Sequence, residues 1–307
     1  MNSPGRHGAA YGMGAYLLWG IFPLYFRLLE RSGAVEVVLH RILWSLLVCA
    51  VVLTAVRQWS VLRATLASAR TVGVLGTAAV LLAVNWGTYI YGVNSGHVVE
   101  ASLGYFINPL VTVLLGVVVL KERLRPAQWV AVGLGTVAVV VLTVDYGRPP
   151  VIALTLAVTF GMYGLLKNRV GATVGALASL STETLLLAPL AAVGIVVLEL
   201  RGQGHFADDA PWQALLLMTT GIVTVVPLLF FAAAARRIPL STMGLLQYIT
   251  PVLQLLCGVL VFGERMPLSR WLGFGIVWAA LAVMTVDSLR TARIRSRAAP
   301  AAEPVPA

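Results

Sequence analysis

The chain has 307 residues, of which 59% are hydrophobic and only 11% are charged. A soluble domain carries about 25% charged residues, so this composition excludes an ordinary soluble protein and favours one whose outer surface faces lipid. The formal net charge is +10. The basic residues lie in short breaks between apolar runs and near the C-terminus, which is typical of membrane orientation and argues against nucleic-acid binding.

Ten apolar runs follow one another along the chain, and each is long enough to cross a bilayer core about 30 Å thick as a helix. The predicted spans are 9–29, 36–56, 72–93, 98–120, 127–145, 150–167, 174–198, 212–235, 239–262 and 268–287. The first run ends at Arg27 and Arg31 and lacks a small-residue cleavage pattern, so we interpret it as a retained helix. The sequence therefore predicts an all-α integral membrane protein with ten transmembrane helices.

The Lys and Arg residues are divided unequally between the two sides of these spans. If the N-terminus is inside, fifteen of the 22 fall on the cytoplasmic side, six fall outside and Arg41 lies within a span. This asymmetry predicts a multi-pass protein of the cell inner membrane with both termini in the cytoplasm. We expect residues 1–8 to form a cytoplasmic tail and residues 289–307, which are rich in Arg, Pro and Ala, to form a disordered one.

An internal repeat relates the two halves of the chain through one ungapped offset of 142 residues. The matched residues include Ile107 and Ile249, Pro109 and Pro251, Gly116 and Gly258, Glu122-Arg123 and Glu264-Arg265, Trp129 and Trp271, and Asp145 and Asp287. We therefore predict two five-helix units, 9–146 and 150–288. Because five is odd, the second unit begins on the opposite side of the membrane and is inverted. Inverted repeats are typical of alternating-access transporters, whose solute site lies near the midplane at the repeat interface.

Several motifs are also similar to those of a known family. They are Tyr16-Leu-Leu-Trp-Gly20, His40-Arg41-Ile-Leu-Trp44-Ser45, Asn85-Trp86, the segment from Glu100 to Pro109, Lys121-Glu-Arg123, Gln128-Trp129, the segment from Gly221 to Pro227, and Leu245-Leu-Gln-Tyr248 through Pro251. Through them the chain resembles the drug/metabolite transporter superfamily, specifically the RarD-type branch of the EamA family. The resemblance implies ten helices in two inverted units around a central cavity, and it fixes no substrate.

Two prolines, Pro109 and Pro251, lie near the middle of the fourth and ninth spans. Proline removes a helical hydrogen bond and clashes with the carbonyl four residues back, and a carbonyl freed in lipid must find a partner or line a cavity. We expect both helices to break there beside one central cavity. The alternative is a structural kink that neighbouring helices satisfy.

Polar and aromatic residues at the same depth are candidates for solute binding. They are Trp19, Asn85, Tyr89, Tyr105, Asn108, Tyr163, Gln247, Tyr248 and Thr250. Aromatic faces suit flat organic solutes and cations, although packing or interfacial anchoring is the alternative for any single Tyr or Trp.

Three charged residues, Arg41, Glu100 and Glu183, are candidates for gating or ion pairing. A charge at the centre of a membrane helix costs about 2.5–3.5 kcal/mol on insertion scales, so it needs a partner or a role. The offset maps Arg41 onto Glu183, and inversion places them toward opposite ends of the membrane. We therefore expect Arg41 to pair with Glu100, and Glu183 to act in gating or coupling or to pair with Arg236 or Arg237.

The sequence contains no Walker A string and no metal-ligand spacing among its four His and two Cys residues. We therefore predict no catalytic residue, metal or cofactor, and a small-molecule solute and the lipid bilayer as partners, with homodimerisation left open. The predicted function is secondary transport of a small organic solute, a drug or a metabolite, with efflux one possible direction. The alternatives are a membrane-embedded enzyme acting on a lipid or isoprenoid, and a non-transporting scaffold or sensor.

Overall fold

The structure, a computed structural model, describes residues 3–121, 123–170, 174–206 and 211–298. These ranges contain helices and connecting turns, with no β-strand among them. The helices are α1 Ser3–Gly20, α2 Phe22–Arg27, α3 Gly33–Ala55, α4 Trp59–Leu66, α5 Ala69–Asn94, α6 Val98–Leu120, α7 Pro126–Tyr146, α8 Val151–Val170, α9 Ala176–Leu200, α10 Pro211–Ala235, α11 Leu240–Leu246, α12 Ile249–Leu256 and α13 Leu268–Ala298. A 3₁₀ turn, Glu30–Ser32, precedes α3, and a π-helical turn, Cys257–Val261, continues α12.

Nine helical stretches of the described residues are long and apolar enough to cross a membrane. They correspond to the second to tenth predicted spans. The first predicted span is not among the nine; in it α1 ends at Gly20 and α2 starts at Phe22, with Pro23 in its first turn. Proline suits the first turn of a helix, where its missing N–H costs nothing. The predicted all-helical membrane fold is confirmed, with the first helix interrupted at Ile21.

The observed helices differ from the predicted spans in three places. Helix α1 begins at Ser3, so the predicted tail is helical from that residue. Helix α13 continues to Ala298, well past the predicted start of disorder at residue 289, and residues 299–307 lie outside the described part. The short helix α4 occupies what we predicted to be a loop. Its eight residues are too few to span a bilayer, but they bury Leu62 and Thr65.

The chain divides into two compact units, and the division does not follow the sequence repeats. The smaller unit contains α7, α13 and the second half of α6. Here α7 and α13 run antiparallel, and an ion pair joins them near each end: Arg270 with Asp145 at 3.0 Å and Arg125 with Asp287 at 2.6 Å. The two aspartates are the pair that the 142-residue offset relates.

The larger unit contains α1 to α5, the first half of α6, and α8 to α12. Within it α1 packs on α10, α5 packs on α8, and α3 packs on both α9 and α10. The offset maps α1 onto α8, α3 onto α9 and α5 onto α10. The offset therefore maps the α1–α10 contact onto the α8–α5 contact. A two-fold relation between the repeats produces this pattern.

A glycine sets the closest approach of α3 and α10. A Cβ atom on Gly221 would lie 2.4 Å from the carbonyl carbon of Trp44, so only glycine fits at this crossing. Helix α9 packs on α3, and the two helices are antiparallel, since Leu39 contacts Gly194 and Cys49 clusters with Leu180. These contacts fix the depths of the charged residues on α3 and α9.

Candidate solute site

Arg41 projects from α3 into an aromatic environment and is only 4% exposed. Its Nε donates a hydrogen bond of 2.7 Å to the hydroxyl of Thr224 on α10. The guanidinium lies over the ring of Trp86 at 4.0 Å, and over Phe26 and Phe22 at 5.3 and 5.8 Å. Thr224 lies about one helical turn from Gly221, so the close α3–α10 crossing is what brings it within reach. These contacts define the Arg41 region.

Glu100 does not pair with Arg41 in the described part of the chain. Its carboxylate, 1% exposed, accepts a hydrogen bond of 2.9 Å from the backbone N–H of Ile152 in the first turn of α8. The first four N–H groups of a helix lack internal partners, and a negative charge there is favourable. The predicted Arg41–Glu100 ion pair is therefore wrong, and Glu100 caps a helix.

Glu183 lies on α9 at the centre of a second polar cluster and is 2% exposed. Its Oε1 forms an ion pair of 2.7 Å with Lys167 of α8 and accepts a hydrogen bond of 3.0 Å from Ser179. The hydroxyl of Tyr163 donates to Oε2 at 3.3 Å, and Lys167 also donates to Ser179. These four residues are the Glu183 region.

The partner of Glu183 is not the predicted Arg236 or Arg237. We had placed Lys167 at the end of the sixth span, but α8 continues to Val170 and holds Lys167 on the helix. Lys167 and Tyr163 are four residues apart, as are Ser179 and Glu183, so each pair shares one helix face. The two faces meet where α8 and α9 approach each other.

A continuous series of aromatic contacts links the two regions. Ring centroids are 6.0 Å apart between Phe26 and Tyr89, 5.9 Å between Tyr89 and Tyr105, 6.2 Å between Tyr105 and Phe160, and 6.0 Å between Phe160 and Tyr163. All four distances are within the range of favourable aromatic pairs. We call these five residues the aromatic chain; it begins at the guanidinium of the Arg41 region and ends beside the Glu183 region. Tyr105 and Tyr163 are half-buried and Phe160 is 37% exposed, so the part of the chain near Glu183 is open, whereas Phe26 and Tyr89 near Arg41 are buried.

The aromatic chain contains three predicted site residues, Tyr89, Tyr105 and Tyr163, and two that sequence analysis missed, Phe26 and Phe160. A phenylalanine in an apolar run has no polar signal that separates it from core residues. Periodicity could not find these two either, because they belong to α2 and α8, and only the tertiary structure places them between the tyrosines.

Asn85 has a structural role that accounts for its burial. Its side-chain amide donates to the carbonyl of Leu156 at 3.1 Å and to the hydroxyl of Thr159 at 2.9 Å. Both acceptors lie on α8, so Asn85 links α5 to α8. With both amide N–H groups used, its donors are not available to a solute.

Trp19 and Thr250 both contact Tyr16 of α1, and Trp19 also packs against the buried cluster that contains Phe26 and Tyr89. The Trp19 ring contacts Tyr16 at 5.6 Å and Phe231 at 5.9 Å, and the Thr250 hydroxyl donates to the carbonyl of Tyr16 at 2.9 Å. The predicted set of nine residues is therefore distributed over more than one place. Thr250 joins α12 to α1, and its hydrogen is engaged in that contact.

The remaining predicted residues are near the two prolines. Gln247 is exposed and Tyr248 is half-buried at the turn between α11 and α12. Asn108 is half-buried on α6, and its Oδ1 is sealed from solvent without a hydrogen-bond partner among the described residues.

The two prolines behave differently. Pro109 lies inside α6, which is uninterrupted from Val98 to Leu120, so the predicted break there is wrong. Before Pro251 the regular α-helix is interrupted at Gln247 and Tyr248, between α11 and α12, although both residues keep right-handed helical backbone angles. Gln247 is the residue whose carbonyl a proline four positions later would meet. The ninth span is thus interrupted before its proline, whereas the fourth is continuous through its proline.

Comparison with known proteins adds a family match to this geometry. The sequence profile of the EamA-like transporter family matches the chain twice, over residues 6–144 and 149–286. The chain is 55% identical to Protein RarD of Streptomyces exfoliatus over 95% of its own length and 92% of the relative's. It is 45% identical to an uncharacterised transporter of Pseudomonas aeruginosa, with 94% and 96% covered, and 40% identical to Protein RarD of Escherichia coli K12, with 95% and 98% covered.

A solved crystal structure is also similar, with a TM-score of 0.59 and 20% sequence identity. The match covers 92% of this chain and 98% of the other. At that identity the likeness extends to the fold.

Proposed function

Because the chain belongs to the EamA-like transporter family, we propose that it is a secondary transporter that carries a small organic solute across the inner membrane by alternating access. The observation that supports this best is the aromatic chain, which connects two buried charged regions. Flat ring faces bind organic solutes through their large apolar area, and neighbouring rings offer equivalent contacts along a path. Inverted repeats with a site near the midplane are the usual framework for such transport.

The dimensions suit a small organic solute. Because α3 and α9 are antiparallel, Glu183 lies beside a position of α3 about seven residues from Arg41. The two charged residues are therefore separated by about 10 Å along the helix axis, at 1.5 Å per residue. A drug or metabolite of ordinary size has this length. A solute that moves along the aromatic chain would therefore pass from one charged region to the other.

We assign the Arg41 region to the outer half of the membrane and the Glu183 region to the inner half. The assignment rests on the charge asymmetry, which favours both termini in the cytoplasm. Under alternating access, the Lys167–Glu183 pair then gates the cytoplasmic side, and Glu183 is our candidate for a coupling or gating residue.

A counterflow screen tests the transport function directly. The purified protein is reconstituted into liposomes loaded with a metabolite mixture, and exchange of each component against labelled external solute is measured. We expect exchange of at least one organic solute, and we expect Tyr105→Leu to reduce it, because Tyr105 is the middle ring of the aromatic chain.

The matched control is Tyr91→Leu. Tyr91 is on α5 two residues after Tyr89, is 56% exposed and is not part of the aromatic chain. Absence of exchange for every component would contradict transport of an organic metabolite. Equal losses in the two variants would contradict the role of the aromatic chain.

A further inference from the structure

The Arg41 region holds a positive charge that no carboxylate of the described residues neutralises. The guanidinium forms a hydrogen bond to Thr224 and contacts three aromatic rings, and no ion pair with it is found in the described ranges. The buried carboxylates of the same unit have other contacts: Glu36 binds His205, Glu100 the N–H of Ile152, and Glu183 Lys167. A charge at this depth is costly unless something compensates it.

The geometry leaves the hydrogen-bonding edge of the guanidinium unused. Arginine has five N–H donors, and only Nε–H of Arg41 meets an acceptor among the described residues. The Trp86 ring covers a face of the guanidinium at 4.0 Å, which compensates part of the charge without using an N–H donor. The four N–H donors on Nη1 and Nη2 lie in the plane of the guanidinium. A carboxylate in that plane can accept two parallel hydrogen bonds from arginine.

A second polar group near Arg41 also lacks a partner. The hydroxyl of Tyr89 is sealed from solvent and makes no hydrogen bond within the described part of the chain. The Tyr89 ring packs at 6.0 Å on Phe26, and the Arg41 guanidinium lies over the ring of Phe26 at 5.3 Å. The O–H of Tyr89 and the unused N–H groups of Arg41 each need an acceptor. One carboxylate has about four lone-pair sites and can accept from both.

We propose that the solute is an organic monocarboxylate with a flat apolar body, whose carboxylate binds Nη1 and Nη2 of Arg41 while its body lies on the aromatic chain. This proposal rests on the proposed function, since it names the substrate class of the same site. A single negative charge fits because one cation is unmatched here, and the charge of Lys167 is already balanced by Glu183. The Tyr89 hydroxyl is the second donor to the carboxylate.

The test measures binding and does not require transport. Each ligand is added to the detergent-purified protein, and the unfolding temperature is followed with a thiol-reactive dye. The dye is suitable because both cysteines, Cys49 and Cys257, are free and buried and become reactive on unfolding. The probes are matched pairs that differ only in charge: phenylacetate with phenylacetamide, and 1-naphthylacetate with 1-naphthylacetamide.

We expect each carboxylate to raise the unfolding temperature and its amide to have no effect at the same concentration. Arg41→Gln should abolish the shift, and Arg41→Lys, which keeps the charge but loses the planar fork, should weaken binding at least about tenfold. The control is Arg27→Gln, since Arg27 is exposed and pairs with Glu30 in the next turn. That variant should bind like the unaltered protein.

Two further variants keep the test decisive if Arg41→Gln does not fold. Thr224→Val removes the oxygen that holds Nε, and Tyr89→Phe removes only the unpartnered hydroxyl. We expect each to weaken carboxylate binding about threefold or more. Equal stabilisation by acid and amide would overturn the proposal, as would a carboxylate shift that survives Arg41→Gln or is unchanged in both further variants.

The outcomes separate this proposal from the transport function. Exchange of only neutral or cationic solutes in liposomes, with carboxylates neither binding nor exchanging, would refute the carboxylate site and leave the transporter intact. Carboxylate binding that depends on Arg41 without exchange of any solute would support the site and refute transport.

Discussion

The Arg41 and Glu183 regions occupy equivalent positions in the two repeats but differ in whether the buried charge has a partner of opposite sign. The offset of 142 residues maps Arg41 onto Glu183 and Tyr25 onto Lys167. In the second repeat the acid has a cation at 2.7 Å and two hydroxyl donors. In the first repeat the equivalent of that cation is a tyrosine, and Arg41 has no anion among the described residues. The duplicated framework therefore holds one internally compensated charge and one uncompensated charge.

This difference favours different roles for the two regions, gating for one and ligand binding for the other. A buried ion pair with its hydrogen bonds satisfied is costly to break, and it suits a gate that must stay closed until something changes its charge. An arginine with four unused donors suits ligand binding, because the ligand completes its hydrogen bonding. A solute that enters at Arg41 would reach the compensated pair along the aromatic chain.

The largest expected effect is on stability. Glu183→Ala leaves Lys167 without its partner, and breaking a buried pair costs about 3–5 kcal/mol; we expect the lower end, because Lys167 is 26% exposed and partly hydrated. Arg41→Gln should change the unfolding free energy by only about 1 kcal/mol, since it removes an uncompensated charge together with one hydrogen bond. Unfolding in mixed micelles with increasing SDS measures both.

The Lys167→Met variant and the double variant Lys167→Met with Glu183→Ala close a double-mutant cycle with Glu183→Ala. A double-mutant cycle isolates the coupling between the two side chains, and we expect the double variant to be more stable than Glu183→Ala. A loss for Arg41→Gln as large as that for Glu183→Ala would show that Arg41 is compensated as well, and the contrast between the regions would be wrong.

A second expected effect is on coupling. Glu183→Gln keeps the size of the side chain and removes its charge, so a cycle that needs Glu183 to gain and lose a proton stops. We expect solute accumulation driven by a pH gradient to fall at least about tenfold in liposomes, while exchange of internal for external solute continues. Exchange needs no net change in the charge of the gate. Equal loss of both activities would favour a structural role for Glu183.

The sequence was enough to predict the spans and the charged positions, because both depend on composition. An apolar run about 20 residues long has few alternatives to a membrane helix, and Arg41 and Glu183 stand out against apolar neighbours. The repeat could be predicted for the same reason, since proline, tryptophan and Asp matches at one offset do not arise from apolar composition alone.

The partners of the charges could not be predicted, because they depend on distances between helices. Glu100 was matched with Arg41 by charge, whereas its observed partner is a backbone N–H of α8, and backbone groups carry no sequence signal. Lys167 was missed as a partner because we ended the sixth span at that residue, and the helix extends three residues further. An error of less than one turn thus changed the partner of Glu183.

The smallest expected effect concerns the prolines, and it sharpens the comparison by testing whether the repeats also differ in their helices. Pro109 lies in the continuous α6, and Pro251 follows the break at Gln247 and Tyr248. Pro109→Ala should therefore leave the unfolding free energy within about 1 kcal/mol and exchange nearly unchanged, since α6 is already continuous at this residue. Pro251→Ala restores an N–H and removes the clash with the carbonyl of Gln247. The helix can then close across the break, so we expect exchange about twofold slower with no loss of stability.

Exchange rates and SDS unfolding of the two variants, measured side by side, distinguish the cases. If Pro109→Ala slows exchange as much as Pro251→Ala, then the fourth span also breaks during the cycle, and the two repeats are more alike in their helices than in their charges.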